Sequence, residues 1–165
     1  MINIRAAAIL NRLLFVAMIL FSCSGLSRAD SSVSLSKGQT VYVPIYSHIY
    51  SGDKEQPFYL AATLSIRNID LNHQVTITKV DYYDSTGKLL RKYLEEPVVL
   101  NPVASTRYVV KESDKTGGSG ANFIVQWKST REVNPPIIES IMIGAQRQQG
   151  ISFTSRGRVV KEQDR

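Results

Sequence analysis

From Leu60 to Arg67 every second side chain is apolar. Leu60, Ala62, Leu64 and Ile66 alternate with Ala61, Thr63, Ser65 and Arg67. Successive side chains on a strand point to opposite faces, so this period of two predicts a strand with one face on a core. The same period recurs along the chain. Val41, Val43 and Ile45 alternate with Tyr42, Pro44 and Tyr46. Proline gives a ladder no N–H, which predicts an edge strand here. Val75 and Ile77 share one parity and Val80 and Tyr82 the other. One inserted residue would restore a single face, so a bulge is expected near Thr78-Lys79.

Turn chemistry separates these runs. Asp84-Ser85-Thr86-Gly87 lies between Tyr82-Tyr83 and Leu89-Leu90 and predicts a hairpin. Short strands are expected at Val98–Leu100 and Tyr108–Val110. Phe123, Val125 and Trp127 would share the core face of another. Asn134-Pro135-Pro136 breaks the pattern. A β-branched run from Ile137 to Gly144 follows, then short strands at Ile151–Thr154 and Arg158–Val160. No helical period emerges beyond the first residues, and no repeat of solenoid length. The expected class is all-β: an immunoglobulin-like two-sheet antiparallel sandwich, with a small β-barrel as the alternative.

The first residues read differently. Arg5 and Arg12 precede the apolar run Leu13–Phe21, and small residues follow. That order predicts a secretory signal, and the run is too short to span about 30 Å of hydrocarbon as a helix. Leu20-Phe21-Ser22-Cys23 resembles a lipobox, which would make Cys23 the lipidated mature N-terminus. Ser27-Arg28-Ala29 offers a competing ordinary cleavage site. The expected layout is a signal segment over 1–22 (or 1–29), a polar tether over 23–37, one sandwich over 38–160 and a charged tail over 161–165. The expected location is the outer membrane, facing the periplasm, or the soluble periplasm. The formal charge of +6 falls to +4 for a chain starting at Cys23, with 18 basic against 14 acidic residues. That is short of a nucleic-acid-binding signature. Cys23 is the only cysteine, so no internal disulfide or paired-cysteine metal motif is available.

Few residues invite chemistry. Gly117-Gly118-Ser119-Gly120-Ala121 nears a nucleophile elbow, but that motif needs a helix after it and a strand pattern follows at Asn122. A hydrolase using Ser119 is therefore the least supported reading. His48, with Asp53 and Glu55 after it, is a possible small-ligand or metal group, although the spacing demands no site. Tyr42, Tyr46, Tyr50 and Tyr59 offer apolar area with polar tips, as glycan or protein recognition uses. Arg147, Arg156, Arg158, Lys161 and Arg165 make the C-terminal stretch basic. The candidate binding surface is Tyr46, His48, Tyr50, Asp53, Tyr59, Ser119, Asn122 and Arg156. No catalytic set, metal set or cofactor follows from the residues.

Several blocks also carry a family resemblance. They are Val43-Pro44-Ile45-Tyr46-Ser47-His48-Ile49-Tyr50, Leu64-Ser65-Ile66-Arg67-Asn68, Val80-Asp81-Tyr82-Tyr83-Asp84, Gly117-Gly118-Ser119-Gly120-Ala121-Asn122-Phe123 and Ile151-Ser152-Phe153-Thr154-Ser155-Arg156-Gly157. Together they resemble an exported bacterial family known as a domain of unknown function (number three thousand one hundred and twenty-four). The resemblance covers about Lys37 to Gly157. It implies a small exported bacterial protein and supplies no activity, cofactor or functional residue. The expected role is a lipid-anchored, non-catalytic envelope domain that binds a protein or glycan partner.

Overall fold

The structure is a computed structural model that describes residues 34–146 and 148–163. The leader, both cleavage sites and Cys23 lie outside the described residues, as do Arg147 and Arg165. Twelve strands run through the described chain and no helix interrupts them: β1 (Ser36–Pro44), β2 (His48–Ser51), β3 (Gln56–Tyr59), β4 (Ala61–Arg67), β5 (Val75–Tyr83), β6 (Leu89–Lys92), β7 (Val98–Leu100), β8 (Ser105–Val110), β9 (Asn122–Val133), β10 (Ile137–Gln146), β11 (Gln149–Arg156) and β12 (Arg158–Glu162). One sheet has the order β12-β1-β9-β5-β6, with β7 also paired to β5. The second has the order β11-β10-β4-β8, and β2 and β3 form a separate hairpin. Every pairing is antiparallel. Neither sheet closes on itself, so the architecture is the expected sandwich rather than a barrel.

The core forms where the inward faces of the two sheets meet. β9 is the axis of the first. Its Phe123, Val125 and Trp127 are fully buried. They stand opposite Val43, Val41 and Gln39 of β1, and opposite Tyr82, Val80 and Ile77 of β5. The second sheet contributes Ala62, Leu64 and Ile66 from β4, Val110 from β8, and Ile138 and Met142 from β10. Each large apolar side chain buried this way stabilises the fold by about 1.5–3 kcal/mol. The alternation in β4 and β9 is thus the imprint of this interface.

The bulge expected in β5 is present. Its register against β9 slips between Ile77 and Lys79, which lets Val75, Ile77, Val80 and Tyr82 all face inward. The edge position expected for β1 is corrected, because β1 lies between β12 and β9. Pro44 is tolerated because β12 pairs only as far as Tyr42. At Pro44 the side toward β12 has no strand left to receive an N–H. Its carbonyl instead accepts the Ser140 hydroxyl of the opposite sheet.

The domain edges also differ from the expected layout. β1 begins at Ser36, within the stretch read as tether, and β12 includes Lys161 and Glu162 of the charged tail. Glu162 holds that tail in place. Its carboxylate accepts from Ser36 Oγ at 2.8 Å and from Gln39 Nε2 at 2.8 Å, and Gln163 N donates to Gly38 O at 2.9 Å.

Candidate functional site

Strand ends sort the connecting loops into two groups. At one end β1 and β5 finish and β4 and β9 begin, which gathers the β2–β3 hairpin, the β5–β6 turn and the β8–β9 loop. Backbone bonds bind these together. Ile45 N donates to Ala121 O at 3.0 Å, Ser47 N to Gly118 O at 3.0 Å, and Leu60 N to Ser47 O at 3.0 Å. Ser85 joins the β5–β6 turn to the glycine loop. Its Oγ donates to Gly117 O at 2.9 Å and accepts from Gly120 N at 2.9 Å. Gly117 has to be glycine, because a Cβ there would collide with the Tyr82 hydroxyl.

Tyr82 is the floor of this end. Its OH lies 3.2 Å from Ser47 Oγ in a buried contact, and its ring packs on Phe123 at 5.2 Å. Burial pushes its phenol above the ordinary 10.0. Above it opens a cleft of about 510 Å³ lined by Tyr82, Leu90, Arg91, Lys111, Ser113, Asp114 and Thr116. Arg91 Nη2 stands 3.6 Å from Asp114 Oδ2 and its guanidinium lies 5.4 Å from the Tyr93 ring centre. The lining therefore offers two cations, one carboxylate and hydroxyl groups, above the buried Tyr82. A cleft of this size and mixed lining suits a small polar ligand.

The sequence-chosen residues divide around this cleft. Tyr59 belongs to this end, with Lys115 Nζ 3.9 Å from its ring centre. His48 is beside it on the hairpin, edge-on to Tyr59 and to Tyr50, with Nε2 3.2 Å from the Tyr50 OH. His48 Nδ1 is buried without a hydrogen-bond partner. Ser119 and Asn122 lie on the glycine loop and at the start of β9. Tyr46 turns away and packs edge-on against Phe153 of β11 at 5.8 Å. Asp53 is exposed in the hairpin turn, and Arg156 stands opposite Glu139, toward the other end of the second sheet. Among the described residues no three His, Cys, Asp or Glu side chains gather to hold a metal. Nor does Ser119 meet the needs of a nucleophile elbow, since β9 rather than a helix follows the loop. The cleft's own residues, Tyr82, Arg91 and Asp114, were missed because strand pairing and a loop bring them together from distant parts of the chain.

The other end has the opposite character. There β4 and β9 finish and β5 and β10 begin. Asn68 Nδ2 donates to His73 O (2.8 Å), Leu100 O (3.2 Å) and Asn101 O (3.0 Å), while its Oδ1 accepts from Asp70 N at 3.0 Å. Asp70 Oδ1 accepts from Asn72 N, His73 N and His73 Nδ1, and Oδ2 from Asn134 N and Nδ2. These donors, led by the Asn72 and Asn134 amides, hold the Asp70 carboxyl well below its ordinary 3.8. The pair ties together loops from three parts of the chain. It is a structural lock.

Comparison with known proteins adds the following. No curated protein matches the chain. A crystal structure described as Thermotoga maritima 1070 superposes with a TM-score of 0.46 at 10% identity, covering 76% of this chain and 97% of that one. A likeness of that size assigns neither activity nor partner. The profile of a family described as "Protein of unknown function (DUF3124)" matches residues 38–160, which span both sheets and both loop ends, and the chain belongs to that family.

Proposed function

We propose that the chain acts as an exported, lipid-anchored, non-catalytic domain of the cell envelope, and that it binds an acidic glycan in the Tyr82–Arg91–Asp114 cleft. The leader pattern ending at Cys23 supports the export and the anchor. The cleft carries the binding reading. Arg91 and Lys111 are the cations that carboxylates seek. Ser113 supplies a hydroxyl partner of the kind sugars use, and the Thr116 hydroxyl, which donates to Asp114, keeps its lone pairs for a sugar O–H. The Ser85 latch holds the glycine loop that follows the cleft-lining Thr116, and leaves residues 111–116 to be ordered by the ligand.

The test is calorimetry of the intact chain with muropeptides as the acidic-glycan probe, beside the Arg91→Ala variant. Binding that weakens at least about tenfold in the variant is the expected result. Absence of binding to muropeptides and to uronic-acid oligosaccharides alike would overturn the glycan assignment. Intact mass of the chain from its host reads the anchor separately, since an acylated Cys23 terminus is expected. An unmodified chain starting at Asp30 would remove the anchor and leave the cleft untouched.

A further inference from the structure

The locked end displays apolar side chains that the core does not need. Leu71 is 75% exposed, Val103 69%, Leu35 50% and Ile69 42%. Backbone contacts place them together. Ser36, next to Leu35, pairs with Val133, and Asn134 donates to Asp70 between Ile69 and Leu71. Asn68 N donates to Ala104 O beside Val103. Val103 has φ 61°. A β-branched residue is a genuine outlier there, where glycine or asparagine would be comfortable. The fold thus keeps an exposed valine at a position that costs it stability, and such sites commonly carry function.

Two further observations say what covers this tip. The chain enters β1 at this same end, so the anchoring segment joins the domain here. Cys23 lies 12 positions before Leu35, a span that reaches at most about 40 Å. Exposed Lys37, Arg67 and Arg131 surround the tip at the start of β1 and the ends of β4 and β9, against two exposed acids, Glu132 and Glu162, the second already engaged by Ser36 and Gln39. Apolar tips with a basic surround suit an anionic bilayer surface.

We infer that the Ile69–Leu71–Val103 tip docks on the lipid bilayer, so that the domain stands on the membrane with its cleft facing away. This rests on the proposed membrane anchoring. It predicts a fixed orientation that a flexible tether alone would not impose.

The test labels the intact chain with an environment-sensitive fluorophore at Leu71→Cys or, as control, at Asp53→Cys, in a Cys23→Ser background. Each is mixed with vesicles of phosphatidylethanolamine and phosphatidylglycerol carrying a shallow lipid-borne quencher. Quenching at position 71 and none at 53 is expected. In the unlabelled chain, Ile69→Ser with Leu71→Ser should lower vesicle partitioning at least about tenfold. Val103→Gly should lower partitioning while raising the melting temperature, because it removes the apolar tip and relieves the positive φ. Equal quenching at both positions, or none at 71, would overturn the docking. A blue shift at 71 that is the same with and without vesicles would also overturn it, since a protein surface would then cover the tip. Acylation of Cys23 in the host is read independently by mass. An anchored chain with an unquenched tip rejects the docking alone, and a quenched tip on a chain never acylated rejects the anchor alone.

Discussion

The two ends of the sandwich solve opposite problems. At the Asn68–Asp70 end the polar side chains turn inward and spend their hydrogen bonds on backbone groups of neighbouring loops. Apolar side chains are left outside. At the Tyr82 end a glycine loop closes over a buried phenol, and the charged groups face an open cleft. Internal saturation makes a rigid platform, whereas polar groups that keep free valences make a surface able to accept a ligand.

Mutations should separate the ends by size of effect. Asn68→Ala removes the two N–H groups that three carbonyls share and should cost about 2–4 kcal/mol in denaturant unfolding. A cost below about 1 kcal/mol would break the idea of a lock. Asp70 then sharpens it through pH. Its carboxyl is held down in the folded state, so its contribution is present above the ordinary value of 3.8 and disappears as pH falls through the lower folded value. Asp70→Asn should therefore be less stable than wild type near neutral pH, and the gap should close on acidification. A gap that stays constant with pH would assign the loss to shape instead of charge.

At the other end, Gly117→Ala pushes against the Tyr82 hydroxyl and should cost about 1–3 kcal/mol, with the cleft distorted. Unchanged stability and binding would show that the loop yields easily. Tyr82→Phe loses only the Ser47 contact and should cost about 1 kcal/mol in the same assay. A much larger loss would make Tyr82 part of a wider polar network.

The fold was largely legible in the residues because its cause is local. Burial on one face writes a period of two into β4 and β9, and a phase slip in that period marked the β5 bulge before any pairing was known. Pro44 misled because proline reports where an N–H is not needed, and the interior strand β1 outruns its β12 neighbour there. The sites were less legible because their partners are remote. Asp70 and Asn134 are 64 positions apart, and Ser85 and Gly117 are 32. No spacing rule in the chain links such pairs. Tyr59 and the glycine loop were singled out from composition alone, and Lys115 over the Tyr59 ring brings them to one end. Arg91 had no such signal, since one arginine on a short strand resembles any solvated charge.

Hydrogen exchange of the intact chain, with and without muropeptides, compares both ends in one experiment. The account predicts that the amides of Asn72, His73 and Asn134 exchange slowly and stay unchanged, while Arg91 and residues 111–116 exchange fast and become protected when the glycan binds. Protection that arises at residues 68–73 instead, or a 111–116 loop as protected as the Asp70 loop before any glycan is added, would contradict the division of the molecule into a locked end and a recognising one.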